Sequence, residues 1–144
     1  MYQMISYMDK AQVKALYEAA KGLRLDESNQ GYGSTSDRPR EVEETLRPLL
    51  GSMFPNPWSY VMVVSVKTNG TLPPHADGAL TAGTTRYHVV LQTNPLAWCL
   101  HDEVWQQLAQ GGIYTMDCSK VHAAVNWGPE PRVHLVIDTK ESKS

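Results

Sequence analysis

The chain is poor in the features that mark several common functions. It carries two cysteines, Cys99 and Cys118, and they are not in C-x-x-C spacing. A disulfide framework is therefore not expected. Both read as small buried hydrophobes with free thiols, which points to a reducing, cytoplasmic compartment. There is no basic block: 13 Lys and Arg against 15 Asp and Glu leave a net charge of −2. A protein that grips nucleic acid through its phosphates normally shows a basic face, so nucleic acid is not an expected partner. No stretch approaches the roughly 18 apolar residues of a membrane span. The opening "MYQMISYMDKAQ" has neither the basic start nor the apolar run of a secretory signal. Repeats and low-complexity tracts are also missing. A length of 144 residues fits one domain with a modest core.

The organisation changes along the chain. Asp9 is placed to cap a helix through Ala11, Val13, Leu16, Ala19 and Ala20, whose apolar residues return at helical steps, with Gly22 near its end. A polar, Gly- and Ser-rich loop follows. A second helix is expected over Arg40 to Leu50, with Glu41, Glu43 and Glu44 in its first turns, where the helix dipole favours acids. From there the chain reads as short strands: "SYVMVVSVKT", "TRYHVVLQT", "AWCL", "GIYTMD", "HAAVNW" and "RVHLVID", separated by Asn-Pro, Gly-Gly and Gly-Pro turn signals. "HDEVWQQLAQGG" suggests a helical turn before one of them. The expectation is a mostly β protein with N-terminal helices: residues 1–52 helical and 53–140 a β-roll core, within one domain spanning 1–144.

Four groups of residues could carry chemistry. His75 and Asp77 are two apart. On a strand they would share a face and could reach one ion, although an H-x-D triplet alone is weak evidence and is what a surface turn ordinarily offers. His122 opens an apolar strand far downstream and could supply a third ligand. Two His and one carboxylate leave coordination positions open, which suits non-haem Fe(II); zinc accepts the same set. Arg132 enters the last strong strand, where a guanidinium is costly unless it meets an anion, either a ligand carboxylate or a neighbour such as Glu130 or Asp138. On that strand Arg132, His134, Val136 and Asp138 share a face opposite Val133, Leu135 and Ile137, and the core could lie on either side. Arg86 and His88 likewise share a face, opposite Tyr87 and Val89, and could hold an anionic substrate group or simply form a polar outer face.

Taken in order, "HAD", "RYH", "WQQLAQGG" followed by "IYTMD", "HAAVN" and "RVHLVID" resemble the aspartyl/asparaginyl β-hydroxylase family of 2-oxoglutarate- and Fe(II)-dependent oxygenases. The resemblance covers roughly Pro74 to Asp138. It implies a double-stranded β-helix, a cupin-like jelly roll. It implies that His75, Asp77 and His122 hold iron and that Arg132 pairs with the distal carboxylate of 2-oxoglutarate. His88 would touch the co-substrate, and Arg86 either it or the prime substrate. The implied activity uses O₂ to hydroxylate a C–H of an amino acid, a peptidyl side chain or a small metabolite, with release of succinate and CO₂. The loop from His75 to Arg86 is slightly longer than the family pattern, and "GALTAGTT" within it is where substrate choice is expected to be set. Asn126, Trp127 and His134 are candidates for the pocket or its surroundings, with packing favoured for Trp127. Two other readings use the same residues: a cupin-like metalloenzyme that does not use 2-oxoglutarate, and a non-catalytic binding module with a structural metal.

Overall fold

A computed structural model of the protein describes residues 1–140. In chain order the elements are β1 (Gln3–Tyr7), α1 (Lys10–Lys21), β2 (Asp26–Glu27), β3 (Tyr32–Ser34), α2 (Pro39–Leu50), β4 (Trp58–Val66), β5 (Gly70–His75), β6 (Thr84–Gln92), β7 (Ala97–His101), β8 (Val104–Gln106), β9 (Gly112–Thr115), β10 (His122–Asn126) and β11 (Arg132–Lys140). They form two facing sheets. One has the order β1-β9-β6-β11-β4-β3-β2, the other β5-β10-β7-β8. Every pairing among the described residues is antiparallel. This is the double-stranded β-helix expected from the motifs, and no described helix is long and apolar enough to cross a membrane.

The helices form for the reasons their sequences suggest. The Asp9 carboxylate accepts a hydrogen bond from the Gln12 amide at 2.8 Å, and Gly22 closes α1. Helix α2 starts one residue before the expected Arg40, because Pro39 suits a first turn whose N–H would go unpaired anyway. Their buried stripes, Val13, Leu16 and Ala20 on α1 and Val42, Leu46 and Leu50 on α2, cover the outer face of the larger sheet. Val61 and Val63 of β4, Val89 and Leu91 of β6, and Val133, Leu135 and Ile137 of β11 meet them there. A second cluster, with Val66, Val90, Cys99, Tyr114, Cys118 and Ala124, lies between the sheets. Strand β11 is therefore buried on both faces. Its odd-numbered residues face the helices, and Arg132, His134, Val136 and Asp138 face the interior of the roll. Both cysteines are buried and unpaired.

Several expectations need correcting. The first 52 residues are not only helical, since β1, β2 and β3 extend the larger sheet at both edges. β1 is exposed along its length and pairs with β9, over 100 residues downstream, so its apolar pattern carries no local strand signal. The segment "HDEVWQQLAQGG" makes a hairpin and not a helical turn. Asp102 and Glu103 both have positive φ, the geometry of a tight two-residue turn, and β8 folds back on β7. Trp127 is 62 % exposed and packs into no core. Asn126 is buried but structural: its amide donates to the carbonyls of Val66 and Glu130 and so fixes the β10–β11 turn. β5 ends at His75, so Asp77 reaches its position on a loop and not by strand alternation.

Candidate metal centre and its pocket

His75 and His122 are directly opposed across the β5–β10 ladder. Their rings lie 4.2 Å apart between centroids. Each ring is oriented in the same way. His75 Nδ1 is 2.8 Å from the Pro73 carbonyl, and His122 Nδ1 is 2.9 Å from the Lys120 carbonyl. A carbonyl can only accept, so Nδ1 carries the proton in both rings and Nε2 is left with its lone pair. Burial, ahead of the neighbouring His75, lowers the pKa of His122 and keeps it neutral. Asp77 closes the group from the loop, its amide donating to the Cys118 carbonyl at 2.9 Å. One ligand atom from each of His75, Asp77 and His122 lies within 4.8 Å of the others. Two imidazoles, each with its Nε2 turned to the group, and a carboxyl group converging on one side are a donor set that fits a divalent first-row metal and leaves its other side open.

Arg86 links this group to the larger sheet. Its Nε and Nη2 donate to the two Asp138 oxygens at 2.8 and 2.9 Å, and its Nη1 donates to Asp77 Oδ2 at 3.0 Å. Arg86 and Asp138 are cross-strand partners on β6 and β11, which explains the bidentate fit. The Asp138 carboxylate, first of all, raises the Arg86 pKa further and holds its charge. The guanidinium that sequence reasoning assigned to an anionic substrate group is thus already held by two carboxylates.

Arg132 is in the opposite condition. It is 4 % exposed, and its Nε and Nη1 have no partner among the described residues. It pairs with neither Glu130 nor Asp138. A buried guanidinium with unused donors is costly to the fold unless an anion meets it. His88 and His134 stand beside it, their Nδ1 atoms 3.2 Å apart. Burial first, and then the Arg132 charge, push both imidazoles well below their usual pKa, so both are neutral. One must donate to the other, and His134 Nε2 has no partner among the described residues.

These groups share one interior cavity of about 50 Å³, lined also by Met62, Val64 and Leu72. The six residues to which the family resemblance gives roles, His75, Asp77, Arg86, His88, His122 and Arg132, are on its wall, as is His134, whereas Asn126 and Trp127 are not. Arg86 also stands on the wall of an open groove of about 620 Å³, bounded by Leu80, Thr84, His101, Asp117 and Ser119. Sequence reasoning missed Tyr2, which lines the inner cavity. Nothing near it in the chain signals a site.

Residues 21–142 match the family model described as aspartyl/asparaginyl beta-hydroxylase. Over 80 residues, 55 % of this chain, the sequence is 32 % identical to the L-proline cis-4-hydroxylase of Rhizobium meliloti (strain 1021). That match covers 29 % of the relative's length, so the chain spans only part of such a protein. Among solved structures, an oxidoreductase of the 2OG-Fe(II) oxygenase family from Burkholderia pseudomallei superposes with a TM-score of 0.71, 12 % identity, and coverage of 99 % of this chain and 86 % of that one. The non-heme alpha-ketoglutarate-dependent epimerase SnoN from nogalamycin biosynthesis gives a TM-score of 0.69, 16 % identity, and coverage of 97 % and 78 %. At these identities the two structures show a shared fold. With the family model spanning both the roll and the motifs, the chain belongs to the aspartyl/asparaginyl beta-hydroxylase family.

Proposed function

We propose that the protein is a 2-oxoglutarate- and Fe(II)-dependent hydroxylase acting on a free amino acid or a similarly small polar molecule. One observation carries this reading: the His75, Asp77 and His122 cluster shares one inner cavity with a buried guanidinium that meets no carboxylate among the described residues. His75, Asp77 and His122 would hold the iron. Bound there with 2-oxoglutarate, the metal would use O₂ to convert a substrate C–H to C–OH, with release of succinate and CO₂.

The chain's own residues do the rest. Arg132 receives the distal carboxylate of the co-substrate, with neutral His88 and His134 beside it as hydrogen-bonding partners that add no charge. Asp138 fixes Arg86, and Arg86 fixes the carboxylate of Asp77. The prime substrate occupies the outer groove. There Arg86 is already neutralised, and the exposed Asp117 carboxylate, held by Ser119, favours an amino group over a second carboxylate. The loop from Gly78 to Thr85 supplies Leu80 and Thr84 to the groove, which supports its expected role in substrate choice.

The test is substrate-dependent release of succinate from 2-oxoglutarate across a panel of free amino acids, L-proline included, and short peptides. Release stimulated by a free amino acid supports the proposal. Stimulation only by peptides would move the substrate class. No succinate with any of them, together with a 2-oxoglutarate affinity indifferent to Arg132→Ala, would favour a metalloenzyme or metal-containing module that does not use this co-substrate.

A further inference from the structure

Tyr2 lies outside the motifs and outside the span matched by the family, yet its ring forms part of the inner cavity wall. We propose that the Tyr2 hydroxyl is a further donor, beside Arg132, for the distal carboxylate of the co-substrate. This rests on the 2-oxoglutarate reading above.

Position is the first support. Tyr2 is 4 % exposed and lines the same cavity as Arg132, His88 and His134. Its ring meets the edge of His88 at 5.4 Å with the planes 85° apart, and it also contacts His101 and Tyr114 edge-on. The second support is how it is held. Strand β1 begins at Gln3, which pairs with Thr115 of β9. Just before it, the Tyr2 amide donates to Gln106 Oε1 at 2.7 Å, and Gln106 Nε2 donates to the Tyr2 carbonyl at 3.2 Å. A reciprocal clamp from β8 thus pins this backbone and sets where the phenol enters. The third is chemical. A carboxylate offers acceptors only and takes several donors, more than the unpartnered Nε and Nη1 of Arg132 supply. The phenol lies close enough to Arg132 for the guanidinium to bear on it, while burial, the larger effect, pushes its pKa up and keeps it protonated. It is therefore a permanent donor next to the anion site.

If Tyr2 only filled space between the sheets, phenylalanine would serve equally well. The experiment follows from that difference. Co-substrate affinity is measured anaerobically by calorimetric titration of 2-oxoglutarate into the Mn(II)-loaded protein, for wild type, Tyr2→Phe, Gln106→Leu and Arg132→Met. Loss of a hydrogen bond to a charged group is expected to weaken binding about ten-fold or more in Tyr2→Phe. Gln106→Leu should weaken it in the same direction, by loosening the clamp. Mn(II) affinity without 2-oxoglutarate should stay within about two-fold of wild type in both. If Tyr2→Phe binds like wild type while Arg132→Met does not, the inference about Tyr2 is wrong and the 2-oxoglutarate reading stands. If wild type does not bind, or Arg132→Met binds equally well, that underlying reading fails.

Discussion

Replacing Asp138 with Asn tests how the interior of the roll is wired. The carboxylate takes two hydrogen bonds from Arg86, at 2.8 and 2.9 Å, and the two side chains are 12 % and 6 % exposed. Asn keeps the size but loses the charge and one acceptor. Breaking a buried pair by removing one partner typically costs about 3–5 kcal/mol, because the other charge is left unpaired. Here the loss is smaller, since Arg86 retains Asp77, which is 42 % exposed and partly screened by solvent. A loss of about 2–3 kcal/mol is expected, or roughly 10 °C in Tm for a chain of this size. The same change frees Arg86 from the position that orients Asp77, so affinity for Mn(II) should fall by about 10–100-fold. Urea unfolding followed by fluorescence, and calorimetry with Mn(II), read the two effects. Arg86→Gln combined with Asp138→Asn should be less destabilised than the sum of the single changes, because neither charge is then left alone. The reasoning is refuted if Asp138→Asn unfolds within about 0.5 kcal/mol of wild type and binds Mn(II) equally well.

Three further outcomes follow from the structure. Arg132→Met removes a buried charge that meets no carboxylate among the described residues and leaves Nε and Nη1 unpaired, so the ligand-free protein should be at least as stable as wild type; its Tm should also stop rising with added 2-oxoglutarate. A marked loss of stability without ligand would show that Arg132 is paired in a way not described above. The pH dependence should carry the mark of His88 and His134, which burial keeps neutral in the fold. Unfolded, each titrates near 6.5, so the unfolded chain binds more protons below that pH. Stability should then fall as pH drops below about 6.5, by up to about 1.4 kcal/mol per pH unit for each ring. Urea titrations between about pH 5 and 7.5 measure this slope, and His134→Gln should flatten it; an equal slope in that variant contradicts the argument. Gly70→Ala would press a methyl group into the Gly31 carbonyl and the Lys67 oxygen, both backbone atoms that cannot swing aside. A loss of about 2–3 kcal/mol is expected, read as a lower thermal midpoint, and an unchanged midpoint would show that this turn can relax.

Much of the site was legible in the sequence because the roll brings its motifs together by simple antiparallel pairing. His75 and His122 are cross-strand partners, as are Arg86 and Asp138, and all four lie in or beside strands with clear apolar patterns. The choice of face on β11 was not legible, since both of its faces are buried and alternation then carries no direction. Asp77 was placed on a strand because spacing cannot distinguish a strand from a loop pinned by Cys118 and Arg86. The partner of Arg86 was missed for the same reason that Arg132 was offered Asp138: two arginines and one buried aspartate can be paired only when the register is known. Tyr2 and β1 were invisible because their partners, Gln106 and β9, are over 100 residues away. The β8 hairpin was misread because Asp102 and Glu103 adopt positive φ, which their residue types do not advertise as glycine would.

The most direct test of the central claim is anaerobic. Fe(II) and 2-oxoglutarate are added to the protein without O₂, and the visible absorption is recorded for wild type, His122→Ala and Arg132→Ala. A weak charge-transfer band that saturates in wild type, vanishes in His122→Ala and needs far more 2-oxoglutarate in Arg132→Ala would place metal and co-substrate at this cluster. No band in wild type, or a band indifferent to both substitutions, would contradict it.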